Sequence, residues 1–385
     1  VYIQAMAQKW VVVVDDAIPF VKGILEPYAD VRYFPGKEIT SALLKDADAL
    51  LVRTRTHCDR KLLDGSRVRF VGTATAGKDH LDTSYLDSCG IAWSNAPACN
   101  AGSVAQYVVS ALLELSRRSA MPLTQKTLGV IGVGNVGSQV VQAATALGMR
   151  TLLCDPPRAR AEEKKNFWYV MDMLPYCDVV TLHVPLIMEG ADRTLRLANA
   201  EFLQEMQPHA WLINASRGPV VDNAALRVAL CGGSIGGAVL DVWENEPNID
   251  PELLSAVDIG TAHIAGYSLD GKANATTQIV QKMAAVLNIE DLKSFSAVLP
   301  ENSPLTITVD AAAKNDQNVI AEIYQQIYDI SQDNALLRNN LNRFESLRRE
   351  YSPRREAFAY KVKLQNGRES LQKTLKALGF SLVLL

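Results

Sequence analysis

Gly132, Gly134 and Gly137 fall in the spacing G-x-G-x-x-G, directly after an apolar run at Leu128–Ile131 and before helical periodicity that continues to about Leu147. The first glycine permits a tight turn, and the second lets backbone amides approach a pyrophosphate. The third lets the helix pack closely on the preceding strand. The helix start at Asn135 and Val136 then faces the negative charge. A second apolar run, Thr151–Cys154, ends in Asp155, where a carboxylate accepts hydrogen bonds from an adenosine ribose and repels a 2'-phosphate. The unit predicts a dinucleotide site that takes NAD rather than NADP.

A second set of reactive side chains stands just after later apolar runs. Ala210–Asn214 leads into Ala215-Ser216-Arg217-Gly218, and Gly236–Leu240 leads into a segment holding Asp241 and Glu246. Ile259–Thr261 leads into Ala262-His263-Ile264-Ala265-Gly266-Tyr267. Short buried runs alternating with helical patterns predict a parallel sheet, and open sheets of that kind bind ligands beyond the carboxyl ends of their strands. Such a sheet presents Arg217, Asp241, Glu246 and His263 along one edge. Histidine exchanges a proton near neutral pH, and a neighbouring carboxylate favours its protonated form and orients the ring. Arginine offers a planar fork to a substrate carboxylate. Together these groups suit removal of a hydroxyl proton while hydride leaves the same carbon.

The elements that must hold these groups follow a repeating order. Runs at Trp10–Val14, Val31–Tyr33, Ala49–Val52, Arg69–Thr73 and Ile91–Trp93 predict strands of a first layer, with helices expected at Phe20–Tyr28 and Ser41–Leu44. Its strand exits carry Arg53-Thr54-Arg55-Thr56 and Ala74-Thr75-Ala76-Gly77-Lys78. Arg53, with Arg55 and Thr54, is a candidate pocket for a terminal phosphate. A buried helix is expected from about Ser103 to Ser116, and another from Asn274 to about Leu287 that returns to the first layer. Leu292–Pro304 reads as a linker. The remainder predicts a small α/β domain, with strands at Leu305–Val309, Phe358–Leu364 and Phe380–Leu384 and helices at Val319–Ile330 and Leu371–Leu378. The expected domains are therefore 1–100 with 270–292, 101–269, and 293–385. Few strands with apolar alternation are a liability unless paired, so the last domain is expected to form a homodimer.

Bulk properties exclude several classes. The 385 residues carry a net charge of -3, with 21% charged and 48% hydrophobic residues, so no nucleic-acid or membrane partner is expected. No apolar stretch of about 18 residues predicts a membrane span. The start VYIQAMAQKW lacks the ordered regions of a signal peptide and reads as an extended terminus. Cys58, Cys89, Cys99, Cys154, Cys177 and Cys231 lack C-x-x-C spacing and read as reduced thiols of a cytoplasmic protein, with no metal.

With these residues in view, the chain resembles the D-isomer-specific 2-hydroxyacid dehydrogenases over about residues 10–290. The likeness rests on Val130–Gly137, Leu212–Val221, Asp241–Pro247 and Thr261–Gly266. A narrower likeness, on Phe70–Gly77, Leu153–Arg158, Tyr267 and the added carboxy-terminal domain, is to members acting on a small phosphorylated hydroxy acid. The resemblance implies a Rossmann-type doubly wound parallel sheet inserted in a flavodoxin-like substrate domain, plus a small C-terminal α/β domain. It implies NAD as cofactor and an oxidoreductase whose catalytic residues are Arg217, Glu246 and His263. It implies substrate contacts from Thr54, Thr75 and Tyr267, and NAD contacts from Asp155, Asp241, Gly266 and the segment Ala215, Ser216 and Arg217. Asp241 has an alternative reading as a strand-exit aspartate that holds its own turn. Gln106 stands where relatives carry glutamate and Ala98 where they carry glycine. A 2-oxoacid is a possible electron acceptor. Two alternatives stay open: another D-2-hydroxyacid or D-3-phosphoglycerate dehydrogenase, and a non-catalytic, corepressor-like NAD sensor. The basic run from Arg348 to Arg355 is read either as solvated surface or as a group reaching a partner's site.

Overall fold

The computed structural model describes residues 9–120, 122–163, 166–300 and 305–384. The expected extended terminus at residues 1–8 and the end of the expected linker at 301–304 lie outside these. The chain divides into two compact units, Val1–Asn100 with Leu269–Glu301, and Ala101–Ser268 with Asn302–Leu385.

In the first unit, β1 (Trp10–Asp15), β2 (Ala29–Phe34), β3 (Ala49–Val52), β4 (Phe70–Thr73) and β5 (Ala92–Ser94) pair in parallel in the order β2-β1-β3-β4-β5. This is the flavodoxin-like order. Adjacent side chains of β1 enter opposite cores. Val12 and Val14 pack with Ile279 and Met283 of the helix Leu269–Leu287, while Val13 packs with Leu44 and Leu63. Both faces are covered, which explains why these strands are continuous apolar runs rather than alternating ones.

The helix expected at Phe20–Tyr28 does not form. Phe20 and Gly23 take φ of 60° and 84°, and Pro27 has no amide to donate, so the segment runs as successive turns. Ser41–Leu44 forms a short 3-10 helix. Ala98 stands at φ 61°, a conformation that favours glycine.

In the second unit, β6 (Thr127–Ile131), β7 (Arg150–Cys154), β8 (Val179–Leu182), β9 (Trp211–Asn214), β10 (Gly237–Leu240) and β11 (Ile259–Gly260) form a parallel sheet ordered β11-β10-β9-β8-β6-β7. Chain order reverses between β6 and β8, and such a reversal opens a crevice beyond the strand ends. The same unit holds a three-stranded parallel sheet of β12 (Leu305–Asp310), β13 (Tyr360–Gln365) and β14 (Ser381–Leu384), with β13 central. The helix Ala101–Ser119 is buried along most of its length, because its residues share one core with Leu128 and Val130 of β6 and with Val319 and Ile323 of the carboxy-terminal region.

Two carboxy-terminal elements differ from their sequence periodicity. The helix expected at Val319–Ile330 ends at Ile327. Tyr328 is extended, and Asp329 caps a new helix, Ile330–Asn339, by accepting from the Ser331 amide. The strand expected from Phe358 begins at Tyr360, after a 3-10 turn at Ala357–Ala359. No helix among the described residues is long and apolar enough to cross a membrane.

The glycine turn is built by close backbone approach. A Cβ on Gly137 would lie 1.9 Å from the Gly132 carbonyl oxygen, which is backbone and cannot swing aside. Gly137→Ala is therefore expected to part strand from helix, at a cost of about 1–3 kcal/mol in stability. It should also weaken dinucleotide binding at least about tenfold, since roughly 1.4 kcal/mol of displaced amide contacts suffices. Thermal melting and an NADH fluorescence titration test this, and unaltered affinity would contradict it.

Candidate active site

β6 delivers the chain into the turn through Gly132, whose φ of 86° only glycine adopts without strain. Its amide donates to the Cys154 carbonyl at 2.8 Å, and a Cβ here would lie 2.6 Å from the His183 carbonyl oxygen. Gly134 differs. A Cβ on it would meet nothing within 4 Å, so its surface faces open space at the start of the helix Asn135–Ala146. Gly134 supplies no side-chain cap to that helix, leaving the first amides, including those of Asn135 and Val136, as donors for an anion. These are the features of a pyrophosphate cradle, and the residues fit a dinucleotide.

Asp155 follows β7 and is buried. Its Oδ2 accepts from the Val133 amide at 2.8 Å and its Oδ1 from the Arg158 amide at 3.0 Å. It thereby ties the glycine turn to the second strand exit, while each carboxylate oxygen keeps a further lone pair for a ribose hydroxyl. His183, after β8, adds a group not proposed for the site from sequence. Its Nε2 pairs with Thr181 Oγ1 at 2.9 Å, and its Nδ1 is buried with no hydrogen bond among the described residues. Burial pushes its pKa down to about 3, so the ring is neutral beside the crevice. The strand-exit position was visible in the sequence, but the unpaired nitrogen needed the fold.

The three exits of β9, β10 and β11 build the second cluster. His263 stands at φ 57°, and its amide donates to the Asp241 carbonyl at 2.8 Å. Its Nδ1 lies 2.7 Å from Glu246 Oε2, while Glu246 Oε1 accepts from the Trp243 amide at 2.9 Å. Burial raises the Glu246 pKa, but the His263 charge and hydrogen bond, the Trp243 amide and the Arg348 charge outweigh it. The carboxyl therefore lies below its ordinary value and is ionised at neutral pH. Arg217 leaves β9 with Nη1 donating to the Ser216 carbonyl at 2.7 Å. The turn beneath it is set by Asn214, which donates to the Arg217 carbonyl and accepts from the Ser216 amide and hydroxyl. Gly218 brings this turn against the β10 exit, since a Cβ there would sit 1.9 Å from the Trp243 carbonyl oxygen. Ala215 is half-buried on the same turn.

Asp241 is 1% exposed, and its carboxylate is used inside the protein. Oδ1 accepts from Thr261 Oγ1 at 2.6 Å and the Ile264 amide at 2.7 Å, and Oδ2 accepts from the Ala265 amide at 2.8 Å. It holds the loop that carries His263, Gly266 and Tyr267.

Arg354 reinforces the same loop. Its guanidinium is buried and donates to the carbonyls of Ala265 at 2.7 Å, Ser103 at 3.1 Å and Ile264 at 3.4 Å. It also lies 3.9 Å from the Tyr328 ring centroid. Gln106, the position noted for its departure from glutamate, accepts from Arg354 Nε at 3.3 Å. Arg348 Nε donates to the Tyr267 hydroxyl at 3.1 Å. The arginine run is thus divided: Arg349 is exposed and pairs with Glu350, whereas Arg348 and Arg354 turn toward the loop of their own chain. Composition showed the basic run but could not show which members turn inward.

The remaining sequence-predicted residues lie in the first unit. Arg53 Nη1 donates to the Ala17 carbonyl at 3.3 Å, and Thr54 is exposed beside it. Thr75 Oγ1 donates to the Gly77 carbonyl at 2.8 Å and lies 2.8 Å from Thr73 Oγ1, which in turn lies 2.9 Å from His80 Nε2. This chain of hydroxyls, ending on the buried His80, fixes the loop Thr75–Gly77. No group of metal-ligating side chains occurs among the described residues.

Comparison with known proteins places these features in context. The NAD-binding domain of the D-isomer-specific 2-hydroxyacid dehydrogenases matches residues 103–265, and a domain of unknown function matches residues 299–379. An erythronate-4-phosphate dehydrogenase of Bacteroides fragilis is 45% identical over 353 residues, covering 91% of this chain and 98% of its own length. One from Cronobacter sakazakii is 43% identical, covering 96% of this chain and 98% of its own. Among solved structures, a D-lactate dehydrogenase from Aquifex aeolicus complexed with NAD and lactic acid superposes with a TM-score of 0.61 at 26% identity. It covers 76% of this chain and 100% of its own.

Asp241→Asn tests the loop's dependence on one carboxylate. The new amide must turn its NH2 toward a backbone N–H or leave that N–H unpaired, at about 1–3 kcal/mol. Stability should fall by that amount, and kcat should fall at least about tenfold as His263 is released. Thermal melting and steady-state kinetics check this, and an unchanged kcat would contradict it.

Proposed function

The chain belongs to the erythronate-4-phosphate dehydrogenases, within the D-isomer-specific 2-hydroxyacid dehydrogenases, and from that premise we propose that it oxidises C2 of 4-phospho-D-erythronate to 2-oxo-3-hydroxy-4-phosphobutanoate. The reaction serves pyridoxal 5'-phosphate (vitamin B6) biosynthesis. NAD, when bound, supplies the hydride acceptor. The observation that carries the reading is the 2.7 Å pair of His263 Nδ1 and Glu246 Oε2 beside the Arg217 turn.

Each residue has a definable task. With Nδ1 engaged by Glu246, His263 receives the C2 hydroxyl proton at Nε2. The ionised Glu246 stabilises the imidazolium that results and holds the ring in place. Arg217 grips the substrate carboxylate and favours electron density on the reacting oxygen. Thr75 and the Thr75–Gly77 amides bind the carboxylate, and Arg53 and Thr54 serve the phosphate. Tyr267 contacts the substrate through its hydroxyl. Gly132, Gly134, Asn135, Val136 and Gly137 hold the pyrophosphate, Asp155 the ribose, and Ala215, Ser216 and Gly266 line the nicotinamide side. Asp241 acts by placing the loop that faces NAD. A non-catalytic sensor would need no such proton-transfer pair.

The chain is a homodimer in this reading. Phe358 and Val383, 58% and 38% exposed, lie in the carboxy-terminal region, and β14 is an open edge. The free cysteines support a reducing, cytoplasmic setting.

The substrate assignment is tested by comparing kcat/KM for 4-phospho-D-erythronate, D-erythronate, D-lactate and 3-phospho-D-glycerate, with a 2-oxoacid present to reoxidise retained NADH. The phosphorylated erythronate should lead D-erythronate by about 10- to 100-fold, the scale of one charged hydrogen bond. Equal turnover of the unphosphorylated acid would overturn the assignment. His263→Ala should lower kcat by about 10²–10⁴-fold while leaving NAD affinity nearly intact.

A further inference from the structure

We propose that Arg348, acting from the carboxy-terminal region of the same chain, forms with Tyr267 an oxyanion subsite for the substrate's phosphate. The inference rests on the substrate reading above. Arg348 lies in the short helix Phe344–Arg349, within the region that matches a domain of unknown function. Its side chain leaves that helix half-buried and reaches the catalytic loop. Nε donates to the Tyr267 hydroxyl at 3.1 Å, and the guanidinium carbon lies 5.8 Å from the Tyr267 ring centroid. Tyr351 meets the same ring edge-on, with centroids 6.2 Å apart, and so buttresses it from a second side.

This arrangement uses one donor of a five-donor fork. Among the described residues no hydrogen bond engages the two Nη groups of Arg348. A guanidinium fixed by its Nε and by an aromatic face, with its outer donors still available, is pre-organised for a bidentate oxyanion. Tyr267 joins it at the hydroxyl, because a phenol that accepts from a cation becomes a stronger donor. The charge also acts on the reaction centre, since Arg348 is among the groups that keep Glu246 ionised. Arg348 therefore reaches the loop that carries His263 rather than lying on a remote surface.

The substrate requires more than one cationic contact. It carries a carboxylate at one end and a phosphate of nearly two negative charges at the other. Arg217 serves the carboxylate next to the reacting carbon. A phosphate two carbons beyond that centre needs its own donors, and Arg348 with Tyr267 adds to those assigned to Arg53 and Thr54.

The test compares the ratio of kcat/KM for 4-phospho-D-erythronate over D-erythronate in wild type, Arg348→Ala, Arg348→Lys and Tyr267→Phe. Arg348→Ala is expected to lower the ratio by about 10- to 100-fold. Arg348→Lys should recover part of it, as a point charge without the fork, and Tyr267→Phe should lower it less than Arg348→Ala. A structural or carboxylate-binding role would depress both substrates alike, so an unchanged ratio in Arg348→Ala overturns the inference while the substrate reading stands. A wild type that fails to favour the phosphorylated acid overturns both. Chains carrying Arg348→Ala or His263→Ala, co-expressed, should be no more active than Arg348→Ala alone. Recovered activity would mean the arginine acts across subunits and would overturn the same-chain assignment.

Discussion

A single buried carboxylate sets the geometry on which the chemistry depends. His263 occupies the left-handed backbone region, which costs a non-glycine residue on the order of 1–3 kcal/mol and persists only where the surroundings over-determine it. Asp241 supplies that over-determination. Its carboxylate takes the amides of Ile264 and Ala265 and the hydroxyl of Thr261, while its carbonyl takes the amide of His263 itself. The residues on both sides of the histidine are thus pinned to the end of β10. Once the backbone is held there, the imidazole projects toward Glu246, whose other oxygen is anchored on the Trp243 amide. Acid–base geometry is set by the backbone of two neighbouring strand exits.

The carboxy-terminal region extends this constraint. A buried guanidinium costs several kcal/mol unless its donors are used. Arg354 uses them on carbonyls of the catalytic loop and of the helix Ala101–Ser119, with the Tyr328 ring over its face. Nearby, burial pushes the Asp333 carboxyl up to about 6, although the Arg354 charge draws it down. The region is thereby coupled to the loop through a desolvated polar network, in which removing one member leaves others unpaired. The carboxy-terminal region, which matches a domain of unknown function, takes part in holding the loop that carries His263.

Much of this was legible in the sequence because the relevant signals are local. The glycine turn, Asp155 and the order of apolar runs predict the two doubly wound sheets, since strand, turn and helix starts follow from neighbours in sequence. Arg217, Glu246 and His263 were visible as polar residues at strand exits, and parallel pairing of β9, β10 and β11 brings those exits side by side. What escaped is what depends on distant packing. Asp241 read as an NAD contact or as an aspartate holding its own turn, and only the fold shows its oxygens accepting from the loop that follows β11. Arg348, Arg349 and Arg354 are alike in composition, and only tertiary contacts separate surface from interior. Apolar spacing also suggested a helix at Phe20–Tyr28, where the left-handed Phe20 and Gly23 leave turns instead.

The proposed mechanism makes an ionised Glu246 the partner that sustains His263 as proton acceptor. The direct test is the rate of single-turnover hydride transfer, followed by NADH fluorescence, in wild type and Glu246→Gln. A carboxylate held below its ordinary pKa is charged at neutral pH and stabilises the imidazolium formed as the proton leaves the substrate. Replacing it by a neutral amide should lower the rate at least about tenfold, with NAD affinity nearly intact. Hydride transfer at the wild-type rate in Glu246→Gln would contradict this role.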